Sequence, residues 1–541
     1  MNKQWFTAVF VVLAFAVPIM LPAACPAAYH LFDGKLRVKG SLYEFMMYRT
    51  DLQSDERQYR DTKWGLMKSK ATLELLYKAV ETDRLMVNLF GFFHYWHDSV
   101  PDLDDEYRRS IPAGDRKRYQ SPFYDQDDWI NELYVDLYWG KWNVRLGKHI
   151  VFWSEVEMVR TIDRINPLDL RYTTPGIDPW DEMKLGLWMM RGFYNSDLPG
   201  QLVFEWIWIP GDFEQVRTPM EGTSMSGYPS PQGPEDRRPR PFGQKAAVDL
   251  GFHRARPAFN IRNSTFAFRV RGNSEVKLFG DFYLLDWTVS WYHGMNTTPV
   301  ARNRTLGTPS VLNMDITTLN GYLNKNAVSR VFGQPLPHQT HDSFWRYKFF
   351  DAIGASCQTY VPALKAVVRG EVSYEIGLPV NKAYPLHIDP TAGGEKPITG
   401  TSERDQINVG FTVDKPLMWH WLSQHWGSSG VFDCTFGWFG QWRLGNITRW
   451  RSTYGYQNRS QTNFTATIRT KLRHNELWPT FRMLYNTRNW GYAVFALRWT
   501  PGKHLRYELG YLYFYARNPS DSPEASAEYK DSVYLRFGYE F

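Results

Sequence analysis

The chain has 541 residues and a net charge of +7, from 63 Lys or Arg and 56 Asp or Glu, and no long basic run concentrates that surplus, so a nucleic-acid-binding protein is disfavoured. Aromatic residues make up 16% of the chain although its mean hydropathy is −0.47, which excludes a helical membrane protein. Abundant apolar residues exclude a disordered chain and the three Cys exclude a disulfide scaffold, whereas an aromatic-rich sequence that is polar on average is typical of a transmembrane β-barrel.

Residues 1–28 have the pattern of a secretory signal peptide. Lys3 provides the positive start, an apolar stretch runs from Trp5 to Leu21, and small residues follow up to Ala28. At about 17 residues, the apolar stretch is marginal for a membrane-spanning helix. The sequence therefore predicts that residues 1–28 direct export and are removed, and that residues 29–541 form a single barrel domain.

Alternation of apolar and polar residues runs through the rest of the chain. The strongest example is 364–376, where one parity is apolar and the other carries four charges. Successive side chains of a strand point to opposite faces, so one face would meet lipid and the other water. These segments run to about ten residues or more, which a tilted strand needs to cross a bilayer and which exceeds most strands of a soluble β-sandwich.

The alternating segments predict an all-β fold, a transmembrane antiparallel β-barrel of 16–18 strands. We can place about nineteen strands, but bacterial barrels have even strand numbers, so one of these assignments must be wrong. The candidate strands begin near Leu36, Leu66, Leu85, Trp129, Trp142, Lys184, Gln201, Ala246, Ser264, Phe282, Phe349, Leu364, Arg404, Gly430, Thr462, Trp478, Gly491, Leu505 and Ser532.

Connections between the predicted strands are of two kinds. Some are short, such as 140–141 and 501–503, whereas others are long and polar. Outer-membrane barrels have short turns at the periplasmic end and long loops outside the cell. The predicted extracellular loops are 98–128, 211–245, 296–346, 378–403, 443–461 and 517–530. A further stretch, 150–183, is long and polar between short strands, and we expect it to enter the lumen.

Charged residues on the inward parity are the candidates for lining a pore. Barrels of about eight strands are filled by their own side chains, whereas 16–18 strands leave a channel. A lumen with both signs of charge suits a water-filled pathway, although the alternative is that these charges pair and fill the interior. The candidate pore-lining residues are Glu132, Asp136, Arg145, Lys365, Arg369, Glu371, Glu375, Arg469, Lys471, Arg506 and Glu508.

Motifs for catalysis or for metal binding do not occur in the sequence. It contains no Cys-x-x-Cys-His, His-Glu-x-x-His or Gly-x-Ser-x-Gly motif and no phosphate-binding loop. His94 and His97 are three apart, a spacing that places them on opposite faces of a strand. Ser154 next to Glu155 has no paired His. We therefore expect neither an enzyme nor a metal or cofactor site.

The chain ends in an alternating stripe whose last residue is aromatic. It resembles the terminal signal that outer-membrane barrels present to their assembly machinery, and as an edge strand it is able to pair during insertion. The alternative is an ordinary last strand that ends in Phe. The stripe predicts contact with the barrel assembly machinery and with outer-membrane lipid. It is compatible with a monomer and with a homo-oligomer. Its residues are Val533, Leu535, Phe537, Tyr539 and Phe541.

Four short motifs resemble one family. They are Val-Arg-Leu-Gly-Lys-His at 144–149, Trp-Ser-Glu at 153–155, Ile-Asn-Pro-Leu-Asp at 165–169 and Arg-Gly-Glu at 369–371. They are similar to motifs of a proteobacterial outer-membrane family catalogued as domain of unknown function thirteen-oh-two. The chain departs from the family's pattern at the last residue of the first motif and the middle residue of the second. The resemblance implies an outer-membrane location and porin-like transport, without an agreed substrate.

The function predicted from the sequence is a porin-like channel in the outer membrane of a Gram-negative bacterium, for passive or facilitated diffusion of a small solute of unknown identity. A TonB-type receptor is disfavoured, because strands begin within about ten residues of the leader and no plug domain precedes the barrel. Two alternatives stay open. One is a sleeve that houses a periplasmic or surface partner, such as a redox protein, and the other is a barrel enzyme.

Overall fold

The alternating segments form one closed sheet in the computed structural model of the protein. The predicted signal peptide lies outside the described residues, except for Ala28. The structure describes residues 28–50, 64–103, 128–156, 159–170, 173–174, 176–178, 180–217, 257–278, 280–297, 300–301, 345–382, 401–428, 430–445, 450–452, 455–456, 459–516 and 531–541.

Within these ranges, 18 strands form the wall of the barrel. They are β1 Leu36–Arg49, β2 Trp64–Glu81, β3 Leu85–Asp98, β4 Ile130–Trp139, β5 Trp142–His149, β6 Leu187–Asn195, β7 Val203–Ile209, β8 Thr265–Leu278, β9 Asp281–Met295, β10 Phe349–Val361, β11 Ala366–Lys382, β12 Thr401–Met418, β13 Val431–Arg443, β14 Ser460–Thr470, β15 Leu477–Asn486, β16 Trp490–Trp499, β17 Leu505–Ala516 and β18 Ser532–Glu540.

Short elements accompany the wall. The short strands are Tyr29–Leu31, which pairs with β1, Val300–Ala301, Trp345–Arg346, Trp450–Ser452 and Gly455–Tyr456. The helices are Val100–Leu103, Trp180–Met183 and His420–His425, with a 3-10 turn at Ile261–Asn263. In the described part of the chain, no helix is long and apolar enough to cross a bilayer.

Pairing between the first and last strands closes the barrel. Each strand of the wall pairs antiparallel with the next one in the chain, and β18 pairs with β1 from Ser532 opposite Arg49 to Glu540 opposite Ser41. A closed ring leaves no strand edge unpaired, which is the condition for crossing hydrocarbon as strands. The predicted fold class, an antiparallel transmembrane β-barrel of 16–18 strands, is therefore confirmed.

The positions of the strands agree with the sequence pattern except near Ala246. Since β7 pairs directly with β8, the ring is complete without a strand at that position, and Ala246 lies outside the described residues. Every predicted long loop follows an odd-numbered strand, and successive connections lie at alternate ends of an antiparallel barrel. The predicted long loops themselves lie largely outside the described residues, but the strand ends that they join all lie at one end of the barrel.

Exposure confirms which face of the strands is apolar. In β11, Val372 is 44% exposed, whereas its neighbours Glu371 and Ser373 are 3% and 2% exposed. In β17, Leu509 is 54% exposed and Glu508 only 6%. The outer face therefore presents apolar side chains to its surroundings, and the inner face holds the buried polar groups.

Candidate functional site

Residues 150–183, between β5 and β6, cross the interior of the barrel; we call them the inner segment. Near its start, Ser154 Oγ donates a hydrogen bond to Glu371 Oε2 of β11 at 2.8 Å. Near its end, Arg536 Nη2 of β18 donates to Asp178 Oδ1, also at 2.8 Å. A segment that touches such distant strands of a closed ring must lie inside it. The expectation that 150–183 enters the lumen is confirmed.

Glu371 holds the first part of the inner segment against β11. Its carboxylate accepts the Ser154 hydroxyl and the backbone N–H groups of Glu155 and Val156, the last at 3.1 Å. A buried polar group is costly unless it is hydrogen-bonded, and these three bonds satisfy both oxygens of the Glu371 side chain. A single inward carboxylate thus fixes three successive residues of the inner segment.

Two further inward residues of β11 continue this attachment. Ser373 Oγ donates to the carbonyl oxygen of Thr161 at 2.8 Å, and Arg164 Nη2 lies 2.5 Å from Glu375 Oε1. Every second residue of a strand points to the same face, so 371, 373 and 375 form one inward row. The period-two pattern of β11 therefore builds the docking strip for the inner segment.

The last part of the inner segment is held by cations on the opposite wall. Asp178 Oδ1 lies 2.8 Å from Arg536 Nη2 and 3.8 Å from Lys68 Nζ of β2. Arg482 Nη1 of β15 donates to the carbonyl oxygen of Gly176 at 2.8 Å. The segment therefore offers a cation to the carboxylates of β11 and a carboxylate to the cations of β18 and β2.

Lys70 and Glu182 form another contact between wall and segment, with Lys70 Nζ 2.7 Å from Glu182 Oε2. Desolvation by itself raises the pKa of Glu182, but attraction from Lys70 and Lys68 outweighs it and lowers this pKa to about 2. Glu182 thus carries a negative charge over the whole physiological range.

Apolar packing reinforces the attachment on both sides. At one side the inner segment contributes Trp153, Ile162 and Ile165 to a cluster whose wall residues are Leu187, Met189, Ile207, Ile209, Ala267, Tyr292, Phe350 and Ala352. At the other side Ile177 packs with Phe45, Met47, Leu66, Leu484, Trp490, Tyr492, Val494, Leu512, Phe514 and Tyr534. Burial of such side chains stabilises by roughly 1.5–3 kcal/mol each, so the inner segment is an integral part of the fold.

Asn166 ties together the two ends of the inner segment. It is fully buried, and its Oδ1 accepts the backbone N–H of Val151 at 2.8 Å. Its Nδ2 donates to the carbonyl oxygens of His149 at 3.2 Å and Leu185 at 2.8 Å. A buried amide that satisfies three backbone groups closes the segment into a loop, a role that the sequence motif alone did not reveal.

Asp163 and Lys184 form a buried ion pair beneath this loop. Lys184 Nζ also donates to the carbonyl oxygen of Val151 at 2.8 Å, and Arg160 Nη2 lies 3.5 Å from Asp163 Oδ1. Burial tends to raise the pKa of Asp163, but the two cations outweigh it and lower this pKa. The charged pair is compensated and stays ionised.

Glu205 of β7 anchors the start of the inner segment and was not among the predicted site residues. It is completely buried and accepts a hydrogen bond from Trp153 Nε1 at 3.0 Å. Arg191 of β6 and Arg269 of β8 flank it at 2.8 and 2.7 Å. Charges on the inward parity of three consecutive strands are the sequence signal that identifies such a cluster.

Nine of the predicted pore-lining residues lie on the inner parity within strands, and seven of these nine lie further from the short turns. Arg145 donates two hydrogen bonds to Asp136, at 2.7 and 2.8 Å, and Glu508 accepts from Arg498 at 2.9 Å and from Tyr534 at 3.0 Å. Because these charged side chains are paired with each other or with neighbours, their role in lining a pore stays a prediction. The seven are Glu132, Asp136, Arg145, Arg369, Glu371, Glu375 and Glu508.

The other four predicted residues lie at the end of the barrel that has the short turns. Lys365 is an exposed turn residue with φ of 49°, because β11 begins only at Ala366, and Lys471 follows the last residue of β14. The expectation that these two lie within strands is wrong. Arg469 pairs with Asp433 at 3.4 Å and Arg506 pairs with Glu540 at 2.8 Å, both partly exposed.

The terminal stripe is divided between exposed and covered residues. Val533 and Leu535 are each 38% exposed, whereas Phe537 and Tyr539 are buried. The Phe537 ring lies 5.2 Å from that of Tyr507, and Phe541 lies 6.2 Å from Tyr29. The stripe therefore packs in an aromatic cluster near the seam of the barrel, while its part in assembly stays a prediction.

Among solved structures, the chain is similar to Acinetobacter baumannii OccAB3, with 9% identity, a TM-score of 0.43, and coverage of 94% of this chain and 99% of that chain. For Pseudomonas aeruginosa OpdK with vanillate, the identity is 7%, the TM-score 0.40, and the coverage 94% and 98%. At these identities and TM-scores, the similarity carries no information about a solute.

Sequence comparison gives a clearer result. No curated protein matches the chain. Among the residues that the structure describes, no group of three or more His, Cys, Asp or Glu side chains is placed to hold a metal ion. A family model does match, over residues 63–541, in agreement with the resemblance of the motifs. Because this match spans most of the sequence, the chain belongs to the family described as Protein of unknown function (DUF1302).

Proposed function

We propose that the protein is a channel in the outer membrane of a Gram-negative bacterium, through which small hydrophilic solutes diffuse. One observation carries the proposal: a closed ring of 18 strands with polar and charged inward side chains. Rings of this size leave an aqueous lumen, and an apolar outer face suits contact with lipid. The terminal stripe is our proposed recognition signal for the assembly machinery.

The inner segment supports a selective pathway rather than a wide pore. It crosses the lumen and is attached to the wall by Glu371 at one side and Arg536 at the other. A fixed segment across the lumen reduces the cross-section available to solutes and places charged side chains at the narrow part. Such a constriction selects solutes by size and by charge.

The alternatives receive less support. A sleeve needs a lumen free for a partner, whereas residues of this chain already cross the interior. An enzyme needs a nucleophile or a base directed at a substrate, whereas Ser154 donates its hydroxyl to Glu371 and so attaches the inner segment. We therefore assign no catalytic role to this barrel.

Conductance of the purified full chain in a planar lipid bilayer tests the proposal. We expect stepwise current increments whose size is independent of the protein concentration. Folding is monitored by heat-modifiable migration on gels and by the β-sheet signal in circular dichroism. Folded protein that gives no current steps would refute the channel, and a stoichiometric partner recovered with it would favour the sleeve.

A further inference from the structure

A cavity lies between the inner segment and the strands β2 and β3, and we propose that it binds small zwitterions. This inference rests on the proposed channel function, because it names a solute class for the same lumen. The volume of the cavity is about 40 Å³. Its lining includes Lys68, Lys70, Trp96, Asp169, Glu182 and Arg217.

The cavity presents both signs of charge at short range. Lys70 Nζ of β2 lies 2.7 Å from Glu182 Oε2 of the inner segment. A solute that enters from the lumen therefore meets an ammonium group and a carboxylate next to each other. The ring of Trp96, on the neighbouring strand β3, adds an apolar surface for the aliphatic part of a solute.

The exposed fractions of the side chains indicate that a ligand can separate the ion pair of Lys70 and Glu182. The side chains of Lys70 and Glu182 are 11% and 33% exposed, whereas those of Arg217 and Asp128, which pair at 2.7 Å in the same lining, are each 6% exposed. Separating a more exposed pair costs less, because solvent replaces part of the lost interaction. A ligand thus enters between Lys70 and Glu182 and leaves the more buried pair in place.

The chemistry of this pair discriminates between classes of solute. A simple anion would bind Lys70 and take away the ammonium group that is hydrogen-bonded to Glu182, and a simple cation would bind Glu182 and take away the carboxylate that is hydrogen-bonded to Lys70. A charged group deprived of its partner in a partly desolvated site carries a large free-energy penalty. A zwitterion places its carboxylate on Lys70 and its ammonium group on Glu182, so both groups keep an oppositely charged partner.

Glycine and its two single-charge analogues, acetate and methylammonium, test the inference. With the purified full chain in a planar bilayer, each probe is added to one side and its interruption of the current is titrated. We expect glycine to bind about tenfold more tightly than acetate or methylammonium, since each analogue lacks one charge-assisted hydrogen bond. Glycine binding should weaken about tenfold in Glu182→Gln and in Lys70→Met for the same reason.

Lys348→Met is the matched control. It also removes a lysine from an ion pair, with Glu403 at 2.9 Å, but at a position outside the cavity lining. Glycine binding should be unchanged in this variant. Circular dichroism of every variant shows whether the barrel is intact. If a single variant fails to fold, the double variant Lys70→Met/Glu182→Gln replaces it, because removing both charges leaves neither of them unpaired.

The possible outcomes separate the two proposals. A conducting channel that binds acetate as tightly as glycine, or that binds glycine equally well after Glu182→Gln, overturns the zwitterion site and leaves the channel intact. Absence of conductance in folded protein refutes the channel instead. Calorimetric titration of the detergent-solubilised protein with glycine then decides whether the site exists.

Discussion

Asp178 and Arg536 are 358 residues apart in the chain and form an ion pair of 2.8 Å inside the barrel, beside its seam. Arg536 lies on the last strand, next to the closure with β1, and its guanidinium also lies 5.2 Å from the ring of Phe45. Lys68 approaches Asp178 from the other side at 3.8 Å. The carboxylate from the inner segment therefore lies between two cations of the wall.

Replacing Asp178 by Asn should weaken this attachment. The Asp178 side chain is only 1% exposed, and removing one partner of a buried ion pair costs about 3–5 kcal/mol because a charge is left uncompensated. We expect a loss of this size in the free energy of unfolding, measured by denaturant titration in lipid vesicles, and larger current fluctuations.

Asp433→Asn is the control for this change. Asp433 pairs with Arg469 at 3.4 Å, and both side chains are about half exposed at the short-turn end of the barrel. Exposed ion pairs contribute roughly 0–1 kcal/mol, so this variant should be close to the wild type. Equal losses in the two variants would show that Asp178 does not hold the inner segment.

Deleting residues 156–180 should raise the single-channel conductance. The deletion removes the part of the inner segment that packs in both apolar clusters, including Ile162 and Ile177, and so widens the lumen. A deletion of equal length in a predicted extracellular loop, 221–245, serves as the control. Conductance that is unchanged in the first variant, in a folded barrel, would contradict the assignment of the inner segment as the constriction.

Val372→Arg should impair insertion of the barrel much more than Val368→Arg. Val372 faces outward and lies six residues after Ala366, the first residue of β11. In a strand tilted by about 45°, this distance corresponds to a depth of about 14 Å from the start of the strand, near the middle of the hydrocarbon core. Arginine at the midplane costs about 2–4 kcal/mol but only about 0–1 kcal/mol near the interface, where Val368 lies. Denaturant titration of both variants in vesicles measures the difference, and equal costs would mean that the depth is misassigned.

Local alternation was sufficient to predict the wall of the barrel. The inward row at Glu371 and Glu375 follows from period two, because each residue's face depends only on its place along the strand. The exact start of β11 was misjudged by two residues, and Lys365 was consequently placed in a strand. A turn residue with positive φ breaks the alternation without changing the residue types.

Contacts of the inner segment could not be predicted in the same way. That Asn166 binds backbone groups of Val151 and Leu185, or that Glu205 accepts from Trp153, depends on how the chain returns through the lumen. Such contacts join residues that no short-range pattern relates. The polar character and the length of the segment are visible in the sequence, whereas its attachment points follow only from the three-dimensional structure.

Gly147→Ala should disrupt the junction between β5 and the inner segment. Gly147 has φ of +136°, and a Cβ atom there would lie 2.2 Å from the carbonyl oxygen of Leu133. Both the backbone conformation and the close approach require glycine at this position. We expect a strongly reduced yield of folded barrel, measured by heat-modifiable migration. Gly370→Ala is the control, because its Cβ would meet only Cys357 Sγ at 3.8 Å, and a loss of folding there as well would remove the basis for this prediction.

The charge on Glu182 should persist to low pH. Its pKa in the folded protein is about 2, lowered from the ordinary value of 4.5, so the unfolded chain binds the proton more readily. Its contribution to stability is then fully present above pH 4.5 and is lost only as the pH falls through about 2. The same holds for its effect on the ions that pass the constriction.

We therefore expect Glu182→Gln to shift the ion selectivity towards anions, measured as the reversal potential in a salt gradient, by the same amount at pH 7 and at pH 4. Glu403→Gln removes a carboxylate that is 59% exposed outside the cavity lining, and it should change the reversal potential less. A Glu carboxyl with the ordinary pKa of 4.5 would be substantially protonated at pH 4. A difference between wild type and Glu182→Gln that shrinks by about three-quarters at pH 4 would therefore show that Lys70 and Lys68 do not stabilise the charge on Glu182.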